Sequence, residues 1–160
     1  MSFQLFAIPF FGSCLIVPNA NLFSLGMLTS TMHMAWMRSV CGRLESRYQY
    51  SASIVYNNFP FPENTTKKQI KAIEKAAQKV LDVRVEFPDS TLADLYDPRT
   101  MPAKLQEAHN ELDKAVDLAY RPQPFVIEAK RLEFLFELYE KYTANLFTVA
   151  KKKIKKKNKM

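Results

Sequence analysis

The sequence predicts an α+β protein that is mostly α, and three observations carry that expectation. Apolar residues recur at steps of three and four through most of the chain after residue 22. Clusters of β-forming residues are short and confined to about the first sixty positions. Hydrophobic residues make up 48% of the 160 and charged residues 24%, a balance that folds around a core rather than staying disordered.

In chain order, Leu5–Ile8 and Cys14–Val17 read as two short apolar strands, separated by Pro9 and Gly12. The turn Pro18-Asn19-Ala20-Asn21 can cap a helix starting near Leu22. In it Leu25, Leu28, Met32, Trp36 and Val40 form one apolar stripe, while Phe23, Met27, Met34 and Met37 occupy the other faces. That helix is therefore expected to be covered on more than one side, with Gly42 as its stop. Tyr48, Tyr50, Ile54 and Tyr56 predict extended structure, and Phe59-Pro60-Phe61-Pro62 an extended exit.

Beyond Glu63 the texture becomes helical. Thr66-Lys67-Lys68-Gln69 has capping-box spacing, and Ile70, Ile73, Ala77, Val80 and Leu81 form the stripe behind it. A short turn opens at Thr91 and ends at Asp97-Pro98. Pro102 starts a helix that buries Leu105, Ala108, Leu112, Ala115, Val116 and Ala119. After Pro122 and Pro124 a last helix carries Leu132, Leu135, Phe136, Tyr139, Tyr142 and Leu146. The expected plan is short strands around a buried helix, then a small helical bundle, then a disordered basic tail.

Charge is distributed unevenly. The formal net charge is +7, but seven lysines fall between Lys151 and Met160, and the first 150 residues balance at sixteen of each sign. No Asp, Glu, Lys or Arg occurs before Arg38, yet prolines and asparagines interrupt that stretch well short of the ~18 apolar residues a membrane span needs. The start also lacks the basic residues of a secretory signal. Two cysteines, Cys14 and Cys41, supply no metal spacing or disulfide framework, which points to a reducing cytoplasm.

Catalytic constellations are absent from the sequence. His33 and His109 each sit alone in a helical pattern, and the three glycines are too dispersed to cradle a phosphate. Pro88-Asp89 with Glu128-Ala129-Lys130 imitates a metal-dependent nuclease pattern. However, Asp89 belongs to a turn and Glu128 to a helix start, where that chemistry needs adjacent strands converging on one ion. Lys67, Lys71, Lys75 and Lys79 lie on one helical face, partly neutralised by Glu74 and Asp82. The best local footprint for nucleic acid is Arg38, Arg43, Arg47, Tyr48 and Tyr50. Arginine forks onto phosphate or a guanine edge, and tyrosine stacks or donates a hydrogen bond.

Several blocks follow in unbroken order: Leu25-Gly26-Met27-Leu28-Thr29-Ser30, Met32-His33-Met34-Ala35-Trp36-Met37-Arg38, Val40-Cys41-Gly42-Arg43-Leu44, Tyr48-Gln49-Tyr50-Ser51 and Ile54-Val55-Tyr56-Asn57-Asn58-Phe59-Pro60-Phe61-Pro62. With Phe87-Pro88-Asp89-Ser90-Thr91-Leu92-Ala93-Asp94-Leu95-Tyr96-Asp97-Pro98, Leu112–Asp117 and Phe134–Tyr142, this series resembles the C-terminal part of MmeI-like DNA methyltransferases, which are single-chain restriction–modification enzymes. The likeness runs from about Leu22 to Thr143. It implies the end of a target-recognition domain at 1–62, a C-terminal helical segment at 63–147 and a lysine-rich tail at 148–160.

On that resemblance the chain is a non-catalytic DNA-recognition and scaffold fragment of an adenine-specific DNA methyltransferase. Its partners would be double-stranded DNA and a methyltransferase domain or chain, with no membrane. S-adenosylmethionine and magnesium would belong to other domains of such enzymes, because the Asn-Pro-Pro-Tyr-type motif that holds a flipped adenine does not occur here. Phe61 stands where many relatives carry tryptophan, and Glu45, Arg47 and Gln49 occupy positions where relatives are expected to differ. The alternatives are a stand-alone helical interaction protein whose basic tail docks on a membrane or an acidic partner, and a truncated gene remnant.

Overall fold

Asn21 sets the first helix. Its side chain accepts a hydrogen bond from the Ser24 amide at 2.8 Å, satisfying one of the amides a helix start leaves without a partner. The computed structural model describes residues 8–10 and 13–157, with side chains from 15 to 144. Before Asn21, β1 (Ile8–Phe10) and β2 (Ser13–Leu15) pair antiparallel with Ile8 opposite Leu15. Residues 5–7 of the expected first strand lie outside the described residues.

Where the periodicity predicts one helix to Val40, there are two, α1 (Leu22–Thr29) and α2 (Thr31–Val40). Ser30 between them is extended (φ −76°, ψ 157°), and its hydroxyl donates back to the Met27 carbonyl at 2.7 Å. Asp113, 82 residues away, accepts from the Thr31 amide at 2.7 Å and puts a negative charge at the start of α2, where the helix dipole favours it. The break thus depends on a long-range partner that periodicity cannot register. Burial on more than one side holds: Leu25, Met27, Met32, Ala35, Trp36 and Met37 are all buried.

The hairpin β3 (Gly42–Leu44) and β4 (Arg47–Gln49) follows. Extended structure was expected to continue through Ile54 and Tyr56, but Ala52–Tyr56 is instead a π-helical turn. The Asn57 amide reaches the Ala52 carbonyl at 2.9 Å, and the Asn58 side chain donates to the Ser53 and Ile54 carbonyls at 2.8 and 3.0 Å. Satisfying those carbonyls locally outweighs the β preference of Ile54, Val55 and Tyr56.

Helix α3 (Lys67–Val85) opens on the expected capping box of Thr66 and Gln69. The short α4 (Leu92–Leu95) opens on a second, of Thr91 and Asp94. Helix α5 (Ala103–Tyr120) buries Leu105, Ala108, Leu112, Val116 and Ala119 as expected but leaves Ala115 half-buried. Helix α3 buries Ile73, Ala77 and Val80 of its stripe, leaves Ile70 and Leu81 half-buried, and adds Ala76 and Val83. Helix α6 (Glu128–Lys157) corrects one expectation: 148–160 is not all irregular, because the backbone stays helical through Lys157. Lysine is a good helix former, so losing the apolar stripe does not by itself end the helix. Leu146 lies beyond the side chains described.

The chain forms two compact units that interleave in sequence. The first takes Met1–Met34 and Pro62–Val126, the second Ala35–Phe61 and Ile127–Met160. In the first, α3 packs on both α5 and α1 around Leu25, Ile73, Ala77, Leu105 and Leu112. In the second, Trp36 is the centre, its ring 5.3 Å from Phe136, 5.7 Å from Tyr139 and 6.5 Å from Phe59. Tyr142 donates to the Phe61 carbonyl at 2.6 Å, tying α6 to the extended exit.

A polar cluster in the first unit ties α3, α4's end and α5 together. Arg84 donates to the Tyr96 hydroxyl from two nitrogens, Nε at 2.8 Å, which leaves the phenol hydrogen for Nε2 of His109 at 2.6 Å. That geometry needs a neutral imidazole. Burial and then the Arg84 guanidinium push His109 down to about 4, and burial alone does the same to His33. Both histidines titrate near 6.5 when unfolded, so the unfolded chain binds more protons between pH 6.5 and 4. Stability is therefore full above pH 6.5 and is lost as pH falls toward 4. His33 should cost about 3 kcal/mol across that window and the more solvent-screened His109 less. The urea midpoint should fall from pH 7 to pH 4.5, and the double variant His33→Gln, His109→Gln should flatten the dependence. A midpoint constant over that range would contradict this.

Candidate nucleic-acid interface

Four of the five residues singled out as a footprint lie on or next to the β3–β4 hairpin, and Arg38 lies in the last turn of α2. All five belong to the second unit. The hairpin pairs Gly42 with Gln49, Arg43 with Tyr48 and Leu44 with Arg47, closing on Glu45 and Ser46. Glu45 adopts φ 55°, the left-handed region that a two-residue hairpin turn demands of its first central position. Cross-strand partners share a face, so Arg43 and Tyr48 lie on one side and Leu44 and Arg47 on the other. Every residue from Gly42 to Gln49 is exposed except Tyr48, which is half-buried.

Arg43 and Tyr48 come together, the guanidinium 3.8 Å from the ring centre. A cation over an aromatic face is held without spending its hydrogen-bond donors. Tyr50 lies past β4. Burial, and then the neighbouring Tyr56, push its phenol up to about 12, so it stays a neutral hydroxyl in ordinary solution. Arg38 is placed differently: its Nη1 meets Glu128 Oε2, in the first turn of α6, at 2.7 Å, with both side chains half-exposed. Sequence reasoning missed this partner because Glu128 is 90 residues away. The same pair gives Glu128 of the nuclease-like pattern a structural role, while Asp89 sits exposed in the turn after α3.

The lysine face of α3 belongs to the first unit. Lys67, Lys71, Lys75 and Lys79 are all exposed, but Lys79 is paired with Glu111 of α5 at 2.7 Å, whereas Asp82 accepts from Gln78. Beside them an open groove of about 690 Å³ is lined by Leu22, Lys75, Ala76, Lys79, Glu111 and Ala115, among others. Glu74, Asp82 and Glu111 oppose part of that lysine charge, as Glu45 opposes part of the hairpin's. No helix among the described residues is long and apolar enough to cross a membrane.

Two short hairpins among six α-helices put the described residues in the α+β class, mostly α. The comparisons with known proteins are specific about the family. Residues 10–63 match the family model of the MmeI target recognition domain, and residues 65–147 match that of the MmeI C-terminal domain. The chain belongs to the MmeI family. It is 44% identical over 128 residues to DNA methyltransferase A of Bacillus subtilis (strain 168), a match covering 80% of this chain and 14% of that protein. It is 52% identical to the type IIL restriction-modification enzyme MmeI solved in complex with DNA, with a TM-score of 0.77 over 81% of this chain and 17% of that one. The chain thus spans about a sixth of the length of these relatives.

Proposed function

We propose that these residues form the DNA-seating part of an adenine-specific methyltransferase of a restriction–modification system, without catalysis of their own. Double-stranded DNA is the ligand, a methyltransferase domain or chain the working partner, and the cytoplasm the site of action. The single observation that carries this reading is the hairpin. It is narrow, exposed on both faces and bears Arg43, Arg47 and Tyr48, inside the segment that matches a target recognition domain. A two-stranded ribbon fits the major groove of B-DNA, and three-residue strands gain little from each other alone, so a ligand is their natural support.

Arg43 and Arg47 address phosphate or base edges from opposite faces, and Tyr48 orients Arg43. Arg38 adds a phosphate contact once it exchanges Glu128 for the backbone, and Tyr50 donates as a neutral hydroxyl. S-adenosylmethionine and magnesium are assigned to other domains of such enzymes. Among the described residues no group of three or more His, Cys, Asp or Glu is placed to hold a metal ion.

Fluorescence anisotropy with a 30-base-pair duplex tests the reading. Arg43→Ala, Arg47→Ala should weaken binding about tenfold or more and flatten the salt slope by about two. Glu128→Gln should tighten binding several-fold, because Arg38 no longer leaves a charged partner. Unchanged affinity in both variants would rule out the hairpin as the contact surface.

A further inference from the structure

A hairpin with three residues per strand, exposed on both faces, has almost nothing of its own to fix its direction. Its two ends must therefore be held from outside. The entry is the C-terminus of α2, where the Cys41 amide still bonds to the Met37 carbonyl at 3.0 Å. The exit is the π-helical turn Ala52–Tyr56, reached through Tyr50 and Ser51. One side chain joins the two: the Trp36 indole Nε1, on α2, donates to the Val55 carbonyl in the turn at 3.1 Å.

Both partners are buried, Trp36 at 2% exposure and Val55 at none, so water cannot take over the bond. Phe59, Phe136 and Tyr139 fix the plane of the indole, and with it the direction of its N–H. Asn58 completes the closure by bonding the Ser53 and Ile54 carbonyls, which holds the turn in the shape that presents Val55. Residues 37–54 are thus a loop closed at its base by one buried hydrogen bond, with the basic hairpin at its tip.

We propose that Trp36 is a positioning residue for DNA recognition: its bond to Val55 clamps the base of the β3–β4 hairpin and sets the direction in which Arg43 and Arg47 meet the duplex. This rests on the DNA-seating reading above. A clamp changes where the cations point and leaves their number alone. Its loss therefore lowers affinity without changing the count of counterions released.

The test is Trp36→Phe, which keeps an aromatic ring in the cluster but removes the N–H donor together with part of the indole's volume, beside Asn58→Ala, which loosens the same turn and leaves every ring of the cluster in place. In the free protein, residual dipolar couplings of the hairpin amides 42–49 should lose their fixed relation to those of α2 in both variants, while α3 and α5 resonances stay in place. With a random-sequence 30-base-pair duplex pool, each variant should bind about tenfold more weakly with an unchanged salt slope. Adding Trp36→Phe to Arg43→Ala, Arg47→Ala should have no further effect, because the clamp acts only through those arginines.

Additive losses, or hairpin couplings identical to those of the parent, overturn the clamp. Failure of the parent chain to bind the pool counts instead against the DNA-seating reading, and the hairpin couplings then decide the clamp on their own.

Discussion

Truncation after Ala150 is expected to remove most of the chain's affinity for duplex DNA at low salt, on the order of a hundredfold or more. The deleted decapeptide holds seven lysines, and the 150 residues before it are electrically balanced. Each phosphate neutralised contributes about 0.9 to the slope of log affinity against log salt, so the slope should fall by up to about 6. The family match ends at residue 147, while α6 continues as helix to Lys157, so this charge lies outside the matched segment. Its contribution is sequence-independent, and base discrimination should survive the truncation. Anisotropy across a salt series checks it. A truncated chain that binds as tightly, with the same slope, makes the fold the whole footprint. Flotation of the full chain on anionic vesicles, with no DNA binding at matched salt, would move the tail to a membrane role.

Replacing Gly26 should damage the first unit more than helix propensity would suggest. Gly26 sits in α1 where α3 comes closest. A Cβ there would lie 2.7 Å from Ile73 Cγ2, 3.1 Å from Leu112 Cδ1 and 3.4 Å from the Ala77 Cβ. Alanine gains about 1 kcal/mol of helix propensity over glycine. Against that, Ile73 Cγ2 is fixed directly to its own Cβ, in a fully buried residue, so relief requires α1 and α3 to separate. Overpacking of this kind costs about 1–3 kcal/mol, and the clash outweighs the propensity gain. Gly26→Ala should lower stability by about 1–2 kcal/mol and Gly26→Val by more than 3, since a branched side chain reaches further into the same contact. Urea denaturation followed by signals from α3 and α5 reads the loss. A stabilised Gly26→Ala protein would show that the helices part at little cost.

Much of this molecule was legible before its structure. The Thr66–Gln69 capping box, the stripes of α3 and α5, the dense burial around Met32 and Trp36 and the family resemblance all rest on neighbours within four residues or on contiguous blocks. The misreadings share one cause. Ser30 interrupts the expected single helix because Asp113 waits to cap the second half. Ile54 and Tyr56, β-formers by composition, enter a π-helical turn because Asn58 and Trp36 satisfy its carbonyls. Arg38 was singled out without Glu128, and Lys79 without Glu111, because those partners come from distant helices.

Sequence alone determined the class of fold, the uncharged opening, the concentration of positive charge after Lys151 and the family to which the chain belongs. These are properties of residue identity and short-range period, which need no coordinates to express themselves. Tertiary structure decided which helix breaks, which cations are matched by acids and which hydrogen bond closes the base of the hairpin. Each of those is settled by a buried or charged partner tens of residues away, and free energies of contact act through space rather than along the chain.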